Sequence, residues 1–327
     1  MAHHFGNHYI QTKNYQFAIL TSKVNATNKP VHQYKAELML LFCAFNWGLS
    51  FPLVKISLPY FSPNAFVFFR FIITVSLFCI IFRKEIRNIK FKELKYGLIL
   101  GIFLYLGFIT QTIGLKFTTA SNSAFITGMN LIFLPFVQIF FVKKKPDLFN
   151  YIGIVIVIFG MFFLTGMKDL NFNTGDLLTL SSALFFSFQI VLLDKYSQHT
   201  GHIPIILGQF LSMLVYSFFS TILLEVVLTD DLNMEFNKLI IFTVIFTSIF
   251  TTLLSLFLAN KYQKYTTPVR AGMIYNMEQI FAVIFAYLIL KEILSLEQTL
   301  GAFIMITGIL ISELSATFKT YFKKWFA

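Results

Sequence analysis

The feature that most constrains this chain is a series of ten apolar runs separated by short polar linkers. The runs lie near residues 36–58, 64–82, 94–116, 120–142, 149–167, 176–194, 203–228, 238–260, 267–290 and 297–317. A helix needs about 20 apolar residues to cross a bilayer core, and most of the runs are close to this length. Lipid-exposed backbone must be helical or part of a closed barrel, and these runs lack the alternation of barrel strands. The sequence therefore predicts an all-α integral membrane protein with ten transmembrane helices.

Composition supports this fold class and excludes several others. Of the 327 residues, 57% are hydrophobic and 13% are charged, whereas about a quarter of the residues in soluble domains are charged. A soluble enzyme, a disordered chain and a disulfide scaffold are excluded. The sequence also lacks a zinc-protease motif, a nucleophile elbow and a phosphate-binding loop. We therefore predict that the chain is not an enzyme, that it has no catalytic or metal site, and that it uses no cofactor.

The positions of the basic residues predict how the chain lies in the membrane. Lysine and arginine concentrate in the N-terminal tail, in the linker at 83–95, at Lys143–Lys145 and in the C-terminal tail. Because cytoplasmic loops carry the excess of these residues, we predict a multi-pass membrane protein with both termini cytoplasmic. This distribution explains the net charge of +11 without nucleic acid as a partner. The expected partners are the bilayer and a small-molecule substrate, with protons as an open case; the chain could be a monomer or a homodimer.

An internal repeat becomes visible when the second half of the chain is aligned with the first so that Lys264 falls on Lys116. In this alignment, called the repeat register below, Thr118, Met129, Gly153 and Gly160 fall on Thr266, Met277, Gly301 and Gly308. The two copies are five runs apart, and an odd number of spans inverts the second copy relative to the first. The predicted division is a tail at 1–35, a first repeat at 36–167, a linker at 168–175, a second repeat at 176–317 and a basic tail at 318–327.

The second repeat resembles a known family. The segment from Asn276 to Glu292, followed by Leu296 to Gly308, is similar to the second half of EamA-type transporters of the drug/metabolite transporter superfamily. The residues at matching places are Glu278, Glu292, Gly301 and Gly308, whereas Gln279 replaces the family's usual proline and Lys291 its usual glycine. In the first half, 46–51 and 69–71 resemble the first two spans, and Lys144 stands where a counterpart of Glu292 would be. The resemblance covers about residues 36 to 315 and implies transport of amino acids, nucleotide-related metabolites, sugars or drugs.

Polar residues inside the runs are the candidates for a functional site, because charged and polar groups at membrane depth usually face the bundle interior. Glu278 either contacts a substrate amine or couples transport to protons, or it is a structural carboxylate held by a neighbouring donor. Trp47 either stacks on a substrate or packs in the core. Each amide alone is more typical of a helix–helix hydrogen bond, but together they indicate a polar cavity. The predicted substrate-binding or coupling residues are Glu278, Asn276, Gln279, Trp47, Ser50, Gln111, Asn130 and Gln189.

Three other charged residues are expected outside that cavity. Lys55 and Arg70 are predicted near the outer ends of their spans, where long basic side chains reach the headgroups, although Arg70 could instead pair with an acid. Glu225 is expected to be solvated near the end of the seventh run. This placement leaves no cation in the cavity and disfavours anionic substrates.

These patterns and the resemblance together predict a secondary transporter that works by alternating access. The resemblance suggests export of a small, amino-acid-like organic metabolite across a bacterial-type inner (plasma) membrane. Two alternatives stay open. One is an uptake or exchange carrier for a nucleotide-type metabolite, and the other is an integral-membrane enzyme that acts on lipid.

Overall fold

The computed structural model describes residues 29–143, 148–164, 173–266 and 268–325. The regular elements in this part of the chain are helices, and Phe61 and Met234 add one isolated bridge. The first half contains α1 (Lys29–Ser57), α2 (Pro63–Ile81), α3 (Arg83–Ile86), α4 (Phe91–Phe117), α5 (Ala120–Thr127), α6 (Asn130–Val142) and α7 (Leu148–Leu164). The second half contains α8 (Thr174–Tyr196), α9 (His202–Ser220, continued by a π-helix at Thr221–Leu228), α10 (Lys238–Phe246, continued by a π-helix at Thr247–Leu254), α11 (Ser255–Tyr262), a 3₁₀ turn (Gln263–Tyr265), α12 (Pro268–Leu290) and α13 (Leu296–Trp325).

Each predicted apolar run coincides with one helix or with consecutive helical segments, so the prediction of an all-helical membrane fold is confirmed. Within the described ranges, seven helices are long and apolar enough to cross a bilayer. Two further apolar helices are shorter, at Tyr151–Gly160 and Ile274–Leu290. The count of ten spans, the inversion of the repeat and the domain boundaries stay predictions.

The contacts between helices follow one plan in both halves. α1 packs on α12. The counterpart of α12 in the first half is α6 and the counterpart of α1 in the second half is α8, and these two also pack on one another. In the same way the contact of α4 with α8 is matched by that of α11 with α1. α4 also packs on α9, and the π-helix after α10 packs on α2. α2 and α9 are counterparts of one another and are in contact, and the same holds for α7 and α13. The two halves therefore assemble as equivalent units around a shared centre.

The seam between α7 and α13 shows this equivalence at atomic detail. A Cβ placed on Gly160 would lie 2.8 Å from the Gly301 carbonyl oxygen, and one on Gly308 would lie 2.8 Å from the Gly153 carbonyl oxygen. These two contacts are equivalent in the repeat register, because Gly153 matches Gly301 and Gly160 matches Gly308. The absence of side chains lets the two backbones touch, which is how small residues allow transmembrane helices to pack closely.

The helices of the fourth and ninth runs differ in continuity. The fourth run is interrupted, because α5 ends at Thr127 and α6 begins at Asn130, whereas its counterpart α12 is continuous. Short-range bonds tighten the interruption, with the Met129 N–H donating to the Ile126 carbonyl at 3.0 Å. A Cβ on Gly128 would overlap the side-chain amide of Gln279. The break therefore brings the first-half backbone against the side chains of α12.

The ends of α6 and α12 are again equivalent. Lys143 and Lys291 both have left-handed backbones, with φ of 59° and 58°, and they match one another in the repeat register. Glycine is the usual residue at this position after a helix, because it carries no Cβ. This geometry explains why the resembling family has glycine where this chain has Lys291. Lys144, the counterpart of Glu292, lies outside the described residues.

Two carboxylates of the second half cap helices of the first half. Glu292 accepts hydrogen bonds from the N–H groups of Ala120 (3.0 Å) and Ser121 (3.1 Å) at the start of α5. Glu225 accepts bonds from the N–H groups of Asn64 (2.7 Å) and Ala65 (3.0 Å) at the start of α2. Glu225 is buried, so the expectation that it is solvated is wrong. A carboxylate at a helix N-terminus satisfies free donors and interacts favourably with the helix dipole, which compensates its burial.

Candidate functional site

A cavity of about 80 Å³ lies where the two halves meet, which is room for several water-sized groups. Each half contributes nine lining residues. From the first half these are Trp47, Ser50, Phe51, Arg70, Leu104, Phe108, Gln111, Thr127 and Asn130. From the second half they are Phe186, Gln189, Ile190, Leu193, Leu256, Ala259, Gln263, Tyr275 and Glu278. The cavity is therefore a shared product of the two halves and belongs to neither alone.

The wall formed by α1 carries two of the predicted residues, Trp47 and Ser50. The indole N–H of Trp47 donates to the Thr251 carbonyl at 2.8 Å, and its ring meets that of Tyr275 edge-on with centroids 5.0 Å apart. The hydroxyl of Ser50 donates to the Trp47 carbonyl at 2.7 Å. The tryptophan thus lines the cavity in a fixed orientation and links α1 to both α12 and the π-helix after α10.

Two hydrogen-bonded pairs line the cavity, one in each half. In the first half Gln111 donates to the Thr127 hydroxyl at 3.0 Å. In the second half the Tyr275 hydroxyl donates to the Gln263 side-chain oxygen at 3.2 Å. Thr127 and Tyr275 match in the repeat register, but Gln111 falls on Ala259 and Gln263 on Leu115, so the two pairs share one equivalent position. The sequence prediction included Gln111 and missed Gln263, which the repeat register does not indicate.

Asn130 and Glu278 also match in the repeat register, and both line the cavity. The Asn130 side-chain oxygen accepts a bond from the Asn276 amide at 3.1 Å. Glu278 is 9% exposed, and among the described residues its carboxylate has neither a hydrogen-bond partner nor an ion-pair partner. The structure therefore presents this acid to the cavity without a neighbouring donor that would hold it.

The remaining predicted residues divide between the cavity and its support. Gln189 lines the cavity and donates to Gln209 at 3.2 Å. Asn276 and Gln279 are buried beside the cavity but do not line it. The Gln279 amide donates to the Asn276 side-chain oxygen, and Asn276 bonds back to the Gly272 carbonyl at 2.7 Å. These two amides hold α12 against the break between α5 and α6. A role of any predicted residue in substrate binding stays a prediction.

Arg70 is the cavity residue that the sequence analysis misplaced. It is 4% exposed and lines the cavity, so the expectation that it reaches the headgroups is wrong. Its Nη2 donates to the Thr251 hydroxyl at 2.6 Å, and its Nε donates to the Thr252 hydroxyl. Its guanidinium carbon lies 4.8 Å from the centre of the Phe108 ring. The available signal was that Arg70 is the one charged residue of the second apolar run.

Comparison with known proteins assigns this architecture. The profile of the EamA-like transporter family matches the chain twice, at residues 34–166 and 173–314. The chain belongs to the EamA-like transporter family. An uncharacterized transporter of Archaeoglobus fulgidus is 32% identical to this EamA-like transporter over 288 residues, with 87% of each chain covered. The uncharacterized transporter YoaV of Bacillus subtilis is 24% identical, covering 85% of this chain and 96% of its own.

The same fold occurs among solved structures. One crystal structure superposes on this EamA-like transporter with a TM-score of 0.66 and covers 87% of this chain and 98% of the other. The identity is 13%, so this likeness shows the fold alone. The family match and the named relatives together identify a multi-pass membrane transporter, and they confirm the resemblance seen in the sequence.

Proposed function

We propose that this EamA-like transporter exports a small, amino-acid-like organic metabolite across a bacterial-type inner membrane by alternating access, without covalent chemistry. The observation that carries the proposal is the cavity shared by both halves, into which Glu278 presents an unpartnered carboxylate. A central site between two repeats is the arrangement that alternating access requires, because rocking of one half against the other changes which side the site opens to. In this proposal Glu278 binds the substrate ammonium or exchanges a proton for it.

The contacts at the helix ends are consistent with a reversible closure. With ten spans and cytoplasmic termini, the bonds from Ala120 and Ser121 to Glu292 lie on the outer side of the membrane. They join the second half to the first, and Glu292 is only partly buried. Opening toward the outside would break these bonds.

The test is thermal stabilisation of the purified full-length protein by amino acids, nucleotides, sugars and cationic drugs. A ligand that binds the folded state preferentially raises the melting temperature by mass action. We expect a shift with amino acids that is lost in Glu278→Ala and kept in Glu85→Ala, which removes an exposed acid of α3. Flux of the stabilising compound in proteoliposomes then tests transport and its direction. No shift with any class and no flux would contradict the proposal.

A nucleotide-type substrate is the second candidate, and the buried Arg70 is the observation that favours it. A guanidinium in the cavity can bind a phosphate through two parallel hydrogen bonds. However, the same cavity carries the carboxylate of Glu278, which opposes a substrate with several negative charges. Stabilisation by nucleotides but not by amino acids in the panel would favour this candidate over the first.

A further inference from the structure

We propose that Arg70 is the specificity-determining residue of the cavity and binds the carboxylate of a zwitterionic substrate whose ammonium faces Glu278. This proposal rests on the proposed function and adds to it the residue that selects the substrate. Sequence patterns had placed no cation in the cavity, so the assignment depends on the tertiary structure alone.

The first step of the argument is the incomplete pairing of the guanidinium. Arg70 has five donor hydrogens, and the structure gives partners to Nε and Nη2 through the hydroxyls of Thr252 and Thr251. In the part of the chain that the structure describes, Nη1 has no hydrogen-bond partner and no acid pairs with the group. The two neutral hydroxyls orient the guanidinium but do not compensate its positive charge. A buried charge of this kind is costly unless a ligand compensates it.

The second step is that an acid lines the same cavity without neutralising the arginine. Glu278 and Arg70 are both at least nine-tenths buried and both line the cavity, yet they form no ion pair with one another. A guanidinium and a carboxyl group that face one small volume without touching are complementary to a molecule carrying both a carboxylate and an ammonium. A net anion would meet repulsion from Glu278, and a net cation would meet repulsion from Arg70.

The third step concerns the rest of the ligand. The lining includes apolar and aromatic side chains, among them Leu104, Phe108, Phe186 and Leu256. The glutamine amides of the lining, those of Gln111, Gln189 and Gln263, already donate to protein groups. The chemistry therefore fits an α-amino acid with an apolar side chain, with the guanidinium as the group that distinguishes it from an amine.

The experiment compares four amino acids, alanine, valine, leucine and phenylalanine, each with its decarboxylated amine and its deaminated acid. Binding to the purified full-length protein is measured by thermal shift and by isothermal titration. We expect the wild type to bind at least one amino acid more tightly than both of its analogues. Loss of a charge-assisted hydrogen bond corresponds to roughly 10- to 100-fold in affinity, so Arg70→Gln should reduce affinity for that amino acid to the level of the amine.

Two further variants separate binding from a structural role. Arg70→Lys keeps the charge without the planar fork and should restore part of the preference, which keeps the test valid if Arg70→Gln does not fold. Thr252→Val removes a partner of Arg70 and keeps the guanidinium, so it should lower the melting temperature and retain the preference. Arg83→Gln, which removes an exposed arginine of α3, serves as the matched control for charge.

The outcomes distinguish this proposal from the one on which it rests. Equal binding of the amino acids and their amines by the wild type would overturn the role of Arg70 and leave amino-acid-like transport standing. An unchanged preference in Arg70→Gln would do the same. Binding of sugars, nucleotides or cationic drugs in place of every apolar amino acid would overturn the zwitterion site while the protein remained a transporter.

Discussion

The two sides of the cavity share one framework and differ in charge. Thr127 and Tyr275 match in the repeat register and line opposite sides, and each shares a hydrogen bond with a glutamine, Gln111 or Gln263. At the next equivalent position the first half has Asn130 and the second half has the acid Glu278. The other charge, Arg70, comes from α2, and its counterpart helix α9 contributes no lining residue. The repeat thus gives the two sides of the cavity equivalent positions, and the charged residues of the site lie where the two halves differ.

The largest effect is expected at that asymmetric position. Glu278→Gln removes a titratable group without changing its shape, so transport in proteoliposomes should lose its pH dependence and fall about 10- to 100-fold, as expected for one charged contact. Asn130→Asp in the Glu278→Gln background places a carboxyl on the other side of the cavity and should not restore transport. An unchanged pH profile in Glu278→Gln would remove this residue from coupling.

Substitutions of the glycines between α7 and α13 test whether the two halves are equivalent at this contact. Gly160→Ala and Gly308→Ala each force a Cβ into the backbone of the facing helix, with gaps of only 2.6 to 3.0 Å. Each should lower the free energy of unfolding by about 1–3 kcal/mol, the usual cost of overpacking, and by similar amounts. Gly201→Ala is the control, because its nearest neighbour would be 3.6 Å away. Melting temperatures that differ strongly between the first two variants would show that the seam is not equivalent.

Substitution of the two cavity glutamines should destabilise the protein by different amounts. Gln263 also donates to the Ile190 carbonyl at 2.9 Å, whereas one side-chain bond is found for Gln111 in the described structure. At about 1 kcal/mol per bond, Gln263→Leu should destabilise the protein by about 2 kcal/mol and Gln111→Leu by about 1 kcal/mol. Chemical denaturation in detergent measures both. The reverse order would mean that the bond to Ile190 contributes nothing.

The smallest effect is expected at the left-handed residues. Lys291→Gly and Lys143→Gly remove a Cβ from backbones with positive φ, and each should stabilise the protein by about 1 kcal/mol. Lys261→Gly, inside α11, should instead destabilise it by about 1 kcal/mol. A rise in melting temperature at only one of the two equivalent positions would show that the ends of α6 and α12 are held differently.

Much of this protein was predictable from sequence because the bilayer imposes a simple rule on length and polarity. The apolar runs predicted the helices, and the repeat register predicted the equivalence of Gly160 with Gly308 and implied that of Asn130 with Glu278. Six of the eight predicted site residues line the cavity. Their signal was a polar group inside an apolar helix, which must find a partner or a cavity because lipid offers none.

Only the tertiary structure decided which way the charged side chains face. Arg70 is the one charged residue of α2, which indicates that it avoids the lipid, but the sequence does not distinguish a side chain that reaches the headgroups from one that faces the interior. Its direction is set by Thr251 and Thr252, which lie far along the chain in the second half and meet it only after the halves pack. The burial of Glu225 depends in the same way on the free N–H groups of α2. Hydrophobicity determined which segments enter the bilayer, and packing between distant segments determined where charge is tolerated within it.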